Sequence, residues 1–157
     1  YTWNAAASEI KLGCGVAATD QWIEVSGGRL IEGDFSASME DLPDMVPTMA
    51  VLAALRPGRT IIRNVAHLRI KESNRLEALV TELAKTGIRA EETGDGLVIT
   101  GGTPRGAEIE TYNDHRIAMS FAVMGLCVPG MRIRNPGCVG KSFPGFWEEL
   151  GKLYHAI

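Results

Sequence analysis

The sequence repeats itself with a long period. Trp22-Ile23-Glu24-Val25-Ser26-Gly27-Gly28 returns as Leu97-Val98-Ile99-Thr100-Gly101-Gly102, each a short β-rich run closed by a Gly-Gly turn. Behind each copy come a carboxylate-bearing loop and an apolar stretch, Met45 to Leu55 and Ile117 to Cys127. These stretches exceed usual strand length and do not alternate, so they read as buried helices. Both stop at Pro-Gly, Pro57-Gly58 and Pro129-Gly130, and both lead into a β-rich run ending in Arg-Asn, Arg63-Asn64 and Arg134-Asn135. A loop with a lysine follows, then an amphipathic helix: Lys71 ahead of Leu76, Leu79, Val80 and Leu83, and Lys141 ahead of Phe146, Trp147, Leu150 and Leu153. Gly87 ends the first of these helices, and a strand pair around Gly94-Asp95-Gly96 comes next.

A period of about 70 residues built from mixed elements restricts the fold to stacked, pseudo-symmetric units sharing one core. The expected class is α/β, of the α+β type, in βαβ-containing units of two helices and about four strands each. Within a single domain, 1–157, the units run as a partial copy over 1–28, a full copy over about 29–102 and a third over about 103–157. Ala5 to Leu12, closed by Gly13, resembles the end of the amphipathic helix of an earlier copy. It lacks the strands and lysine loop that precede that helix elsewhere, so the chain is expected to be part of a longer protein.

Composition narrows the function. With 45% hydrophobic and 22% charged residues, a chain of 157 residues can build an ordinary core. A net charge of -3 argues against broad binding to nucleic acid or an anionic membrane, which requires a basic surface. Anion recognition must then come from a local cluster of Lys and Arg. No apolar run approaches the roughly 20 residues that span a bilayer, and no signal pattern opens the chain, which suggests a soluble, cytoplasmic protein. Cys14, Cys127 and Cys138 are odd in number, widely spaced and free of metal-ligand spacing, so they read as reduced core thiols.

Such a cluster exists at the corners of the repeat. The loops after Asn64 and after Asn135, the loop at Asp44 and the loop Asn113-Asp114-His115-Arg116 all sit just before helices. Helix N-termini offer unpaired N–H groups and partial positive charge, and Lys71, Arg75, Arg116 and Lys141 reinforce them. Arg75 and Arg116 suit two-pronged contact with a carboxylate or phosphate, whereas Lys141 is a compact point charge. A small molecule with both kinds of anion fits this mixture. Each residue also has a plainer reading. Asp44 and Asp114 can be helix N-caps, Glu72 and Arg75 an exposed i,i+3 ion pair, His115 a structural loop histidine, and Lys141 a solvated lysine. What those readings leave unexplained is the same charged chemistry at the same corner of two repeats.

These segments resemble the C-terminal signatures of the EPSP synthases: Leu42-Pro43-Asp44, Lys71-Glu72-Ser73-Asn74-Arg75, Tyr112-Asn113-Asp114-His115-Arg116 and Gly140-Lys141-Ser142-Phe143-Pro144, in that order. The resemblance runs from about Gly13 onward and is less clear over Tyr1 to Ala7. Asn74 stands where the family commonly has aspartate. Related UDP-N-acetylglucosamine enolpyruvyl transferases share the fold but lack the Lys-Glu-Ser-x-Arg loop, and they are the alternative family. A non-catalytic anion-binding module is the alternative class, disfavoured because binding anions does not call for Asp44 and Glu72 among the cations.

The resemblance implies the C-terminal domain of an enolpyruvyl transferase, an inside-out α/β barrel with mixed sheets around buried helices. It implies transfer of the enolpyruvyl group of phosphoenolpyruvate to the 5-hydroxyl of shikimate 3-phosphate through a tetrahedral adduct that expels phosphate. Asp44 would orient and deprotonate the hydroxyl, and Glu72 would carry the proton to and from the methylene carbon. Arg75, Arg116 and Lys141 would bind phosphoenolpyruvate; Asp44, Lys71 and His67 would face shikimate 3-phosphate; His115 would support the site or assist proton transfer. No metal or organic cofactor is implied. The family's active site lies between two similar domains, so an N-terminal domain is the expected missing partner of a monomeric enzyme, and this chain alone is expected to be inactive.

Overall fold

The computed structural model describes residues 13–154; the helix expected over Ala5 to Leu12 lies outside them. The first element is an antiparallel hairpin of β1 (Gly15–Ala18) and β2 (Ile23–Ser26), with Val16, Trp22, Ile23 and Val25 all exposed.

A four-stranded mixed sheet follows, in the order β3 (Phe35–Ser38), β4 (Gly58–Arg63), β6 (Leu97–Gly101), β5 (Arg89–Glu92). β3 and β4 are parallel, and the crossover between them is α1 (Val46–Leu55). β6 is antiparallel to both β4 and β5, the second pair closing through the Thr93–Gly96 turn. The Gly101-Gly102 signal has a steric cause: a Cβ on Gly101 would overlap the carbonyl oxygens of Ala53 and Arg56, where the end of α1 lies directly against β6.

α1 is apolar around almost its whole circumference, the pattern of a helix enclosed on several sides. It packs on β6, on α2 (Arg75–Lys85) and on α3 (His115–Met124). α2 is amphipathic and buries Leu76, Leu79 and Leu83 against Ile62, Leu68, Leu97 and Ile99, all of them fully inaccessible. Each such side chain contributes about 1.5–3 kcal/mol by leaving water.

The strand–helix–strand pattern then recurs. β7 (Glu108–Ile109) and β8 (Arg132–Ile133) are parallel, and α3 connects them. A 3-10 turn, Pro136–Lys141, precedes α4 (Phe146–Tyr154), and Ala118, Ala122, Cys138, Val139 and Phe146 form a second small core there. The two Arg-Asn endings are conformational equivalents: Asn64 (φ 63°) and Asn135 (φ 46°) both lie in the left-handed region, each shortly before a 3-10 turn. Asparagine tolerates that region better than most residues.

Three local expectations need correction. α3 stops at Met124 rather than Cys127 because Gly125 to Cys127 turn back through hydrogen bonds to Ala122, Val123 and Met124. Cys127 is therefore exposed and Cys14 half-buried, leaving Cys138 as the core thiol among the three. The β-rich run ending at Arg134 shrinks to a two-residue strand, since short β7 is its ladder partner.

Candidate functional site

The starts of three helices meet at one place. Asp44 lies in the 3-10 turn Pro43–Met45 that leads into α1, Glu72 and Arg75 lie at the start of α2, and Asp114 and Arg116 at the start of α3.

Arg75 is the centre of the cluster. Its Nε donates to Asp114 Oδ2 at 2.8 Å, its Nη1 to Asp44 Oδ1 at 3.1 Å and its Nη2 to Glu72 Oε2 at 2.7 Å. Arg116 reaches Asp44 from the other side, Nη2 to Oδ2 at 2.7 Å, and its Nη1 donates to the Asp44 backbone carbonyl at 3.4 Å. Asp44 thus bridges two guanidinium groups.

The plainer readings divide. Asp44 is not a helix cap: α1 has no side-chain cap, and the Asp44 carboxylate is committed to the arginines. Glu72 and Arg75 do form an i,i+3 pair, but not an exposed one, because the Arg75 side chain is 1% accessible. Asp114 is a cap, accepting from the Arg116 N–H at 2.9 Å, and is simultaneously the buried partner of Arg75 and of the Ser73 hydroxyl at 3.1 Å.

The cluster has a buried floor and an open rim. Arg75 and Asp114 are the floor, with side chains 1% and 0% accessible; Asp44, Glu72 and Arg116 are the rim at 38%, 39% and 27%. Burial alone would raise the Asp114 carboxyl, but hydrogen bonds from Arg75, the Arg116 N–H and Ser73, with Coulomb attraction to Arg75, hold it below the ordinary carboxylate range. For Arg75, burial works against the charge, and the hydrogen bond and Coulomb attraction of Asp114, with help from Glu72 and Asp44, carry it above its ordinary value. The floor is thus a fully charged pair.

His115 is buried, and its Nδ1 has no hydrogen-bond partner within the described residues. Burial depresses its basicity, Asp114 works in the other direction, and the positive charges of Arg116 and Lys141 depress it further. Its imidazole is neutral near neutral pH. Lys141, exposed at the end of its 3-10 turn, donates to the Asn113 carbonyl at 2.9 Å, which brings its ammonium beside the Asp114 loop. Asn135 Nδ2 also donates to Asn113 Oδ1 at 3.4 Å. Lys71 and His67 are exposed and stand outside this hydrogen-bonded cluster.

Two participants had no site role assigned from sequence: Ser73 and Asp114 belong to the floor, and Asp114, although it lies in a charged corner loop, had only the individual reading of a cap. Asn74, where the resemblance led one to expect aspartate, N-caps α2: its Oδ1 accepts from the Glu77 N–H at 3.4 Å and its Nδ2 donates to Glu77 Oε2 at 3.0 Å. Asn and Asp cap about equally well, and the amide adds a donor that aspartate lacks. A groove of about 110 Å³ runs from Asp44 and Arg116 between α1 and α3, lined also by Thr48, Leu52, Ser120 and Val123.

Comparison with known proteins identifies the family of the chain. A profile of the EPSP synthase (3-phosphoshikimate 1-carboxyvinyltransferase) family matches residues 5–150. Relatives named 3-phosphoshikimate 1-carboxyvinyltransferase from Nostoc punctiforme and Syntrophobacter fumaroxidans are 44% and 47% identical, each over 91% of this chain but only 33% and 34% of their own length. An EPSP synthase structure from Acinetobacter baumannii superposes with a TM-score of 0.78 at 31% identity, over 96% of this chain and 38% of that one. The chain thus spans about a third of the length of the curated relatives it matches. With its mixed α/β fold and its cluster of arginines and carboxylates, it belongs to the EPSP synthase family.

Proposed function

We propose that this chain supplies one face of an active site that transfers the enolpyruvyl group of phosphoenolpyruvate to the 5-hydroxyl of shikimate 3-phosphate. The observation that carries the reading is the arrangement at Arg75, where two accessible carboxylates, Asp44 and Glu72, share one buried guanidinium. A site that only bound anions would be weakened by them. A site that must both remove and deliver protons needs them.

In this reading Asp44 takes the proton of the 5-hydroxyl as its oxygen attacks C2 of phosphoenolpyruvate, and Glu72 gives a proton to C3. In the second half Glu72 takes a proton back from C3, the C–O bond to phosphate breaks, and the departing phosphate carries off the proton that Asp44 had taken, which resets both carboxyl groups. Arg116 and Lys141 receive the carboxylate and phosphate of phosphoenolpyruvate, with Arg116 exchanging its contact to Asp44 for one to the ligand. Arg75 remains below, holding both carboxylates in place and offsetting charge on the adduct. Lys71 and His67 face shikimate 3-phosphate, and neutral His115 supports the loop beneath.

The groove beside Asp44 is small against the 300–1,000 Å³ of ordinary ligand pockets. We therefore assign the opposite face of the site to the portion of the fold that relatives carry and this chain does not span, and take the complete enzyme to be a cytoplasmic monomer. Here "full-length form" means this chain joined to that portion. The test is phosphate release from phosphoenolpyruvate and shikimate 3-phosphate. The full-length form is expected to be active, this chain alone to release none, and Glu72→Gln to lower the full-length rate by about two orders of magnitude or more. Near-normal rates in Glu72→Gln, or full turnover by this chain alone, would overturn the assignment.

A further inference from the structure

A second buried carboxylate lies outside the site. Glu82, near the end of α2, is completely inaccessible, yet its i,i+3 partner Lys85 is 40% accessible, with Lys85 Nζ at 2.9 and 2.6 Å from the two carboxylate oxygens. A helix-surface ion pair needs no burial, and burying a carboxylate is costly unless hydrogen bonds compensate. The compensation comes from elsewhere in the chain: Glu82 Oε1 accepts the Tyr112 hydroxyl at 2.7 Å and Oε2 accepts the Glu110 N–H at 3.0 Å.

Those contacts end at the most strained backbone of the described residues. Tyr112 (φ 53°) and Asn113 (φ 57°) are consecutive non-glycine residues in the left-handed region, and for a bulky side chain such as Tyr112 that is an outlier. Such a conformation is strained and persists only where the surroundings impose it. Here they do so from both sides: Glu82 holds Tyr112, while Lys141 and Asn135 hold Asn113. The turn delivers Asp114 to Arg75 and Arg116 to Asp44.

We propose that Glu82 and Tyr112 are positioning residues, fixing the left-handed turn so that Asp114, Arg116 and Lys141 keep their register against Asp44. α2 then acts as a ruler. Arg75 at its start fastens Asp114, and Glu82, two turns or about 10 Å further along the axis, fastens the segment just before it. The Tyr112 hydroxyl suits the task, since burial and then the neighbouring Glu82 carboxylate push its pKa to about 12 and keep it a donor. Neither residue touches the reacting groups.

The inference rests on the functional reading above where activity is the readout, so its test has two arms. In the full-length form, Tyr112→Phe should raise KM for phosphoenolpyruvate about fivefold, equivalent to about 1 kcal/mol, with kcat and the melting temperature little changed. Glu82→Gln should raise KM at least as much and also lower the melting temperature, because its amide meets only donors in a buried site. Because Tyr112→Phe removes the hydroxyl that Glu82 holds, its effect on KM should be smaller in the Glu82→Gln background than in the parent. An unchanged KM in Tyr112→Phe, or effects that add in full, would overturn the proposal. The second arm needs no turnover: in this chain, Tyr112→Phe should shift the backbone amide resonances of Asn113, Asp114 and Arg116, and unmoved resonances would overturn the positioning role outright. Shifted resonances in a protein that neither binds nor turns over phosphoenolpyruvate would uphold the positioning role and sink the function.

Discussion

Asp44 and Asp114 both stand just before a buried helix in a repeated strand–helix–strand pattern, and the fold has given them opposite duties. Asp114 is sealed at 0% exposure, caps α3, and pairs with Arg75 and Ser73. Asp44 caps nothing, is 38% accessible, and sits between two arginines. The difference arises one step before each helix: a 3-10 turn shifts Asp44 away from the α1 N-terminus, whereas the left-handed Tyr112-Asn113 turn places Asp114 directly at the N-cap of α3. Corresponding corners of the repeat thus hold one sealed carboxylate and one open to solvent.

Stability should separate them most. Asp114→Ala removes a cap and leaves Arg75 buried with only its rim partners, an expected loss of about 3–5 kcal/mol by urea unfolding, the range for breaking a buried pair. Asp44→Ala breaks contacts of a partly exposed carboxylate and should cost about 1 kcal/mol or less. Equal losses at the two positions would break the comparison. Asp114→Asn sharpens it, since asparagine keeps the cap and deletes only the charge.

Activity should rank the other way for a conservative change. Asp44→Asn preserves size and much of the hydrogen bonding, so its folding should be near normal while phosphate release by the full-length form falls about a hundredfold. A stable Asp44→Asn enzyme with normal kcat would return Asp44 to a purely structural role.

Acid should find two groups of the Asp114 corner in sequence. The ordinary histidine value is 6.5 and that of His115 is lower in the fold, so the unfolded chain takes up the proton first. Stability from His115 is complete above about pH 6.5 and lost as pH falls below it. Asp114 is likewise depressed, and its contribution is lost only on further acidification, from about pH 4 downward. His115→Asn should flatten the melting-temperature profile just below pH 6.5 and leave the lower limb in place. A profile unchanged by that substitution would remove His115 as the first acid-sensitive group.

The same corners mark how far sequence reading reaches. Period, turn residues and apolar runs are local, and they located α1, α2, α3 and the hairpin of β5 and β6 to within a few residues. The left-handed Asn64 and Asn135 were visible as repeated Arg-Asn endings before any conformation was known. The Asp44 cap failed because capping rules weigh only adjacent backbone, whereas its real partners, Arg75 and Arg116, lie 31 and 72 positions away. The Glu82 clamp was hidden for the same reason: beside Lys85 it reads as a surface pair, and Tyr112 lies 30 positions on. Charge type is legible in a sequence, but which charges are buried together depends on the register between helices.

The smallest expected effect tests the rim itself. Lys141 is exposed and its single described bond is to the Asn113 carbonyl, so Lys141→Ala should change stability by no more than about 0.5 kcal/mol. Its ammonium is nonetheless the rim cation least committed to a carboxylate, Arg116 being tied to Asp44. Phosphoenolpyruvate binding by the full-length form should weaken several-fold in Lys141→Ala, and the loss should shrink as salt rises, because an exposed charge is screened within about 10 Å at 0.1 M. Titration calorimetry at two ionic strengths reads both quantities. Unaltered affinity at low salt would assign Lys141 to bracing the Asn113 turn alone, and the open corner would then depend on Arg116 for its anion.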